Sequence, residues 1–406
     1  MITISHMENG KQPTAFDLFC GCGGLSWGLR LAGFHVLAGV DSEPRYISTF
    51  SHNFGESASL QTDLSQTKPE KFMSMLGIEP GQLDLLAGGP PCQGFSKNVP
   101  RKQRCLDSPN NRLVTTFLNY CETLRPRLVL MENVAEMKNG FDHVYTEELV
   151  ARLCEAGYTV KHGVLNAADF GVPQRRKRAF FIASRDGLDL KFPTPTHARA
   201  SDDGLLFPLP EHVTVWEAIG DLPPVKHGEG KPVCPYASKP FSDFQRLMRR
   251  GSSAVTNHVA RKLQPTQYER LASLQPGEGL AQLPEHLRPR SGYSGAYGRL
   301  TKEMVAPTIT RWVFHPGSGR WGHPVDTRVL TIREAARIQS FPDNFGFVGT
   351  YTQQSGQVGN AVPPLLAQRI GEALLKQLQA SSFESTSINL SKPIRSSSAG
   401  NLKVMA

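Results

Sequence analysis

TAFDLFCGCGGLSWGLRLAG, residues 14–33, decides the fold, because three local signals follow one another in it. TAFDLFC is a short apolar run of the kind that forms a buried strand. GCGG is a turn, and LSWGLRLAG has helical apolar spacing. The unit then repeats: FHVLAGV is a second strand ending at Asp41, and PRYISTFSHNF a second helix. LDLLAGG, RLVLMENV and AFFIASR read as further strands, with RLVTTFLNYCETL and EELVARLCEAG as helices between them. Alternation of this kind predicts an α/β fold with a doubly wound, mostly parallel sheet. Strands buried on both faces should be nearly continuous in Val, Leu, Ile and Phe, as these are.

The pattern changes near Asp186. From 186 to 325 the chain is rich in Pro, Gly and basic residues, as in KFPTPTH and RPRSGYSGAYGRL. This stretch is too long for a connection inside a compact domain, so it reads as a second, loop-rich domain. LTIREAARIQSFP and PPLLAQRIGEALLKQLQ then return to helical spacing. The expected organisation is a first domain in two pieces, 14–185 and 326–380, with 186–325 inserted. The Ser-rich polar residues 381–406 are expected to form a disordered tail.

The chain has 406 residues and a formal net charge of +9, compatible with a polyanionic partner such as nucleic acid. Its seven cysteines form no disulfide framework, and Cys20-x-Cys22 lacks the partners of a zinc site, so no metal is expected. There is no apolar run like a signal peptide or a membrane span. The expected location is the cytoplasm, at the nucleoid in a bacterium, or the nucleus if the source has one.

The candidate site residues cluster at the predicted strand ends. Gly21, Gly23 and Gly24 lie in the first strand-to-helix turn, where glycine allows close approach of a ligand to the backbone. Asp41 closes the second strand, where an acid typically takes ribose hydroxyls, and Asp63 follows in the third unit. A nucleoside cofactor, a dinucleotide and an unliganded turn all fit these residues, although the spacing is not GxGxxG. Cys92 follows the fourth strand in GGPPCQGFS, and the flanking prolines and glycine make its segment a loop, where a cysteine packed as a core hydrophobe is disfavoured. Glu132 and Asn133 close the next strand. In QRRKR, strand alternation puts Arg176 and Arg178 on one side and Arg175 and Lys177 on the other.

FCGCGG, PPCQ, ENV, QRRKR, IREAARIQSFP and QVGNAVPP, in this order, resemble the motifs of the cytosine-5 DNA methyltransferase family. The resemblance covers 14–185 and about 326–375. It implies a fold that binds S-adenosylmethionine, with a variable target-recognition domain inserted where the sequence turns irregular. It implies that Phe19 packs on the adenine, Asp41 binds the ribose and Asp63 contacts the adenine amine. Pro91 would line the same pocket, and Asn360 and Val362 would close it. It further makes Cys92 the nucleophile that adds to carbon 6 of cytosine, with Glu132 serving N3, Arg178 the O2 region and Arg176 supporting the site.

The target base must leave the duplex for this chemistry. Residues 96–112 resemble the family's mobile catalytic loop, whose Lys97, Arg101, Lys102 and Arg104 would meet phosphates. Thr308-Ile309 resembles a short Thr-Leu element that helps to fix the target base. The partners implied are double-stranded DNA and, for a restriction-modification enzyme, a cognate endonuclease; the protein is expected to act as a monomer. A transfer-RNA cytosine-5 methyltransferase is the alternative activity, and a catalytically dead DNA-binding regulator the alternative of another class. The presence of Cys92, Glu132 and Arg178 speaks against the regulator.

Overall fold

Thr14–Leu18 forms the first strand, β1, and Ala15, Phe16 and Leu18 are fully buried in it. In a computed structural model of the chain, which describes residues 12–91, 112–139, 144–199, 208–290 and 294–390, β1 lies inside a seven-stranded sheet. Chain order is α1 (Gly24–Ala32), β2 (His35–Asp41), α2 (Pro44–Asn53), β3 (Ala58–Gln61), α3 (Pro69–Leu76), β4 (Leu85–Gly88), α4 (Arg112–Leu124) and β5 (Leu128–Val134). Then come α5 (Ala135–Asn139), α6 (Val144–Glu155), β6 (Thr159–Asn166) and β7 (Lys177–Ser184). The spatial order is β3-β2-β1-β4-β5-β7-β6, with β7 antiparallel to both neighbours and the other pairs parallel.

The sheet reverses direction of growth between β1 and β4, which makes their C-terminal ends the expected ligand crevice of a doubly wound fold. Two apolar layers cover the faces. One packs α1, α2 and the C-terminal helices on the sheet; the other packs α3, α4 and α6.

The remaining elements are short: α7 (Val215–Ile219), β8 (Gly230–Cys234), α8 (Asp243–Met248), β9 (Val255–Val259) and α9 (Pro265–Ala272), with β8 and β9 forming a separate antiparallel pair. They are followed by α10 (Ile332–Ile338), α11 (Tyr351–Asn360) and α12 (Pro364–Leu390). α12 rejoins the first layer by packing on α1. Gly28 lets the Pro364–Ala367 turn approach, and a Cβ on Gly371 would come within 2.7 Å of Ala32. The helix continues to Leu390, past the residue at which a disordered tail was expected to start; 391–406 lie outside the described residues.

Buried charge welds the loop-rich region to this frame. Arg337 of α10 pairs with both Asp221 and Asp343, and Arg249 also reaches Asp221. Arg328 clamps Glu334 at 2.8 Å. Such pairs recover little net energy after desolvation, but breaking one strands a buried charge, so they fix geometry. Among the described residues no helix is long and apolar enough to cross a membrane, and no group of three metal-binding side chains occurs.

Candidate active site

The turn after β1 leaves a cavity at the sheet's C-terminal edge. It is lined by Asp17, Phe19, Gly21 and Tyr46 on one side and by Asn360 and Val362 on the other, with Gly89 and Glu132 in the same lining. Phe19 and Gly21 both take left-handed backbone angles, φ 57° and 55°. For Phe19 that conformation is strained, as residues at ligand sites often are. A Cβ on Gly21 would meet nothing within 4 Å, so this glycine faces open space.

The other two turn glycines do something else. A Cβ on Gly23 would come within 2.5 Å of the Phe54 ring, and one on Gly24 would overlap the Val362 carbonyl. Gly24 still borders the cavity, whereas Gly23 is outside its described lining and serves packing.

Of the two acids at this turn, Asp17 is in the cavity lining and Asp41 is not. Asp41 accepts the Gly21 N–H at 3.0 Å on one oxygen and the Glu43 N–H at 2.9 Å on the other, which fixes its carboxylate at the turn. Asp17 is fully buried and its Oδ2 accepts the Ser26 hydroxyl at 2.5 Å, while its Oδ1 has no partner. Burial pushes the Asp17 carboxyl up to about 7, against the Ser26 hydrogen bond, and the nearby Asp41 adds to the rise. Asp17, a charged residue inside an apolar strand, was missed from sequence although that anomaly was visible in FDLF.

Tyr46 was missed as well. Its hydroxyl accepts the Asn360 amide at 2.8 Å, joining α2 to α11 within the cavity lining. Two further expected cofactor contacts, Asp63 and Pro91, are likewise absent from the described lining. Asp63 is exposed and binds Ser65 through its backbone N–H (2.9 Å) and hydroxyl (2.7 Å), closing a local turn. Pro91 is exposed.

Glu132 projects from the end of β5, with its side chain 13% exposed, and its Oε1 meets the Arg178 Nε at 3.0 Å. β7 runs antiparallel to β5 and sets Arg178 opposite Val134, which brings the pair together. Burial raises the Glu132 carboxyl above its ordinary range, although Arg178 and then Arg176 pull it down. Asn133 donates to the Pro90 carbonyl at 3.1 Å, tying the segment that leaves β4 to the end of β5. Cys92, Lys97, Arg101, Lys102 and Arg104 lie outside the described residues. Among the described cysteines, Cys20, Cys22 and Cys121 are buried, and burial pushes their thiols up, Cys22 to about 12, so none of these three is a ready nucleophile.

QRRKR alternates as expected, with Arg175 and Lys177 exposed and Arg176 and Arg178 turned inward. Arg176, only 2% exposed, is a brace: it donates to the Ile309 carbonyl at 3.0 Å and the Gly359 carbonyl at 3.1 Å. Gln174 receives the Ile309 N–H at 2.7 Å, and the Thr308 hydroxyl donates to the Arg175 carbonyl at 2.8 Å. The expectation that Ile309 contacts DNA is corrected here. Its side chain is 1% exposed in the core, so only Thr308 of the pair remains open to a base. The partners of Arg176 lie 133 and 183 residues away, which is why sequence reading could not find the brace.

The model of the C-5 cytosine-specific DNA methylase family matches residues 14–376. The chain is 37% identical over 366 residues to the type II methyltransferase M1.HphI of Haemophilus parahaemolyticus, covering 89% of this chain and 87% of that protein. It is 31% identical to M.AgeI of Thalassovita gelatinovora, covering 88% and 98%. Among solved structures, a prophage-encoded E. coli protein assigned as a DNA modification methyltransferase superposes with a TM-score of 0.71 at 27% identity, covering 90% of this chain and 99% of that one.

Proposed function

The chain belongs to the C-5 cytosine-specific DNA methylase family, and on that premise we propose that one cavity serves both halves of its reaction, methyl donor and cytosine. The protein is a DNA (cytosine-5-)-methyltransferase. The observation that carries the proposal is that Glu132 and Gly89, next to the PPC segment, line the same cavity as Gly21 and Asn360.

Family and fold imply S-adenosylmethionine, which supplies an electrophilic methyl on a sulfonium. The residues present fit it. Asp17 offers an unpartnered buried carboxylate oxygen to the cationic amino-acid end, and Gly21 leaves space beside the turn. Asp41 is held with lone pairs to spare for ribose hydroxyls, while Phe19, Asn360 and Val362 supply walls.

Carbon 5 of cytosine is a weak nucleophile, so Cys92 first adds as a thiolate to carbon 6. Electrons move toward N3, which Glu132 serves as acid; burial raises its carboxyl above the ordinary range and so favours the protonated form. Arg178 holds Glu132 and faces the O2 side, and Arg176 holds Thr308-Ile309 behind the base. Carbon 5 then accepts the methyl, its proton passes to water or hydroxide, and the carbon–sulfur bond breaks.

Residues 186–325 serve as the target-recognition domain between the catalytic pieces 14–185 and 326–380. Lys97, Arg101, Lys102, Arg104 and Thr308 contact DNA. The type II relatives support a restriction-modification setting with a cognate endonuclease, and the enzyme acts as a monomer in the cytoplasm. Expression in a methylation-free host followed by bisulfite sequencing tests the reading. Protected cytosines at one recurrent sequence are expected. Unmodified DNA together with methyl transfer to transfer RNA alone would overturn it.

A further inference from the structure

Of the chain's four tryptophans, Trp27 and Trp321 are buried, 6% and 3% exposed, and Trp216 is half-buried with the Lys302 ammonium over its ring at 4.5 Å. Trp312 is 48% exposed. The Arg311 guanidinium stands 5.0 Å from its ring centroid, and Arg311 makes no ion pair among the described residues. We propose that Trp312, with Arg311 beside it, is a stacking contact for the target duplex, meeting a nucleobase next to the position that the cytosine vacates.

The position is rigid. The Trp312 carbonyl accepts the Ser318 hydroxyl at 2.6 Å and the His315 N–H at 2.9 Å. One edge of the indole rests near Phe314, centroids 5.7 Å apart, and Phe314 is itself buried. The preceding residues are fixed as well: Ser355 donates to the Arg311 carbonyl at 2.9 Å, and the Thr310–Arg311 backbone lies so close to Gly359 that a Cβ there would overlap it. An indole half open to solvent on a fixed backbone is a surface awaiting a partner.

The position is also near the reaction. Trp312 is three residues beyond Ile309, hence within about 11 Å along the chain. Ile309 is bonded to Arg176, whose charge acts on Glu132. Arg311 acts electrostatically on Tyr46 in the cavity lining. An exposed aromatic face with an unpaired cation matches what nucleic acid offers, a π-face beside a phosphate. A DNA duplex with one base turned out presents unstacked faces at that spot, and an indole covers them. The proposal rests on the placement of DNA along Thr308 given above.

Intrinsic fluorescence of the full-length protein with bound cofactor, titrated with sheared unmethylated genomic DNA, tests it. DNA should quench the emission of the wild type strongly and that of Trp312→Phe much less, because Trp27 and Trp321 are buried and Trp216 is half-buried. Trp312→Ala should raise the KM for DNA about tenfold to a hundredfold, the range for loss of one base stack, with cofactor affinity and melting temperature unchanged. Equal quenching in Trp312→Phe, or a wild-type KM for DNA in Trp312→Ala, overturns the proposal. So does a self-association or protein-binding defect in Trp312→Ala without a DNA defect. If Trp312→Ala folds poorly, the Trp312→Phe titration decides. A Thr308→Val variant with weakened DNA binding beside normal Trp312 variants would overturn the stacking role alone; normal DNA binding in all of them would overturn the placement as well.

Discussion

Replacing Asp17 by Asn should stabilise the ligand-free protein and weaken its hold on S-adenosylmethionine. Asn keeps the shape and can still accept the Ser26 hydroxyl, but it carries no charge. In the folded chain the carboxyl rises from its ordinary 3.8 to about 7, chiefly through burial. At about 1.4 kcal/mol per pH unit, holding Asp17 ionised above pH 7 therefore costs the fold about 4 kcal/mol. The sign follows from the raised value. The folded state binds the proton more tightly than the unfolded one, so this group's stabilisation is complete below about pH 4 and is lost as pH rises through 7. Asn removes that loss.

The cofactor's ammonium would lose its charged partner at the same time, which should weaken binding about thirtyfold or more, corresponding to at least about 2 kcal/mol. Thermal melts of the ligand-free protein between pH 5.5 and 8.5 and calorimetric titration with S-adenosylmethionine read the two effects separately. Wild-type affinity should rise with pH up to about 7 and then level, whereas that of Asp17→Asn should be flat. A variant that melts below the wild type at pH 8, or binds the cofactor equally well, would refute the reasoning.

Glu132→Gln should slow methyl transfer at least about a hundredfold, as expected for loss of a positioned acid. Because burial raises the Glu132 carboxyl, wild-type transfer should fall as pH climbs through that raised value, and the residual rate of the variant should lack that limb. Arg176→Lys keeps the charge but cannot bridge the Ile309 and Gly359 carbonyls together; it should cost about 2 kcal/mol and speed hydrogen exchange across 306–312. Gly359→Ala must push the Thr310–Arg311 backbone away, so it should weaken DNA binding more than cofactor binding in paired titrations.

Much of this was legible because burial on both faces of a parallel sheet leaves uninterrupted apolar runs, as in LDLLAGG and RLVLMENV. β6 was not, because it is an edge strand: Thr159–Asn166 mixes Lys161 and His162 with half-exposed apolar residues and gives no such run. Glu132 and Arg178 could be named from their strand ends, but their 3.0 Å contact needed the antiparallel turn of β7. Tyr46 and the Arg176 brace depend on contacts across hundreds of residues, which local pattern does not encode. Nothing local marks Arg333 and Arg337 as fully buried, because their partners lie outside their helix: Arg333 donates to the Thr256 carbonyl and Arg337 to the Asp343 carboxylate.

The central claim, that Cys92 bonds to carbon 6 of the cytosine, is tested most directly with DNA carrying 5-fluorocytosine at the modified position. After methyl transfer the fluorine cannot leave as the proton does, so the carbon–sulfur bond should persist. Mass spectrometry of the digested complex should find the nucleotide on the Cys92 peptide, dependent on S-adenosylmethionine and absent from Cys92→Ser. An adduct on another residue, or methyl transfer by Cys92→Ser, would contradict the account.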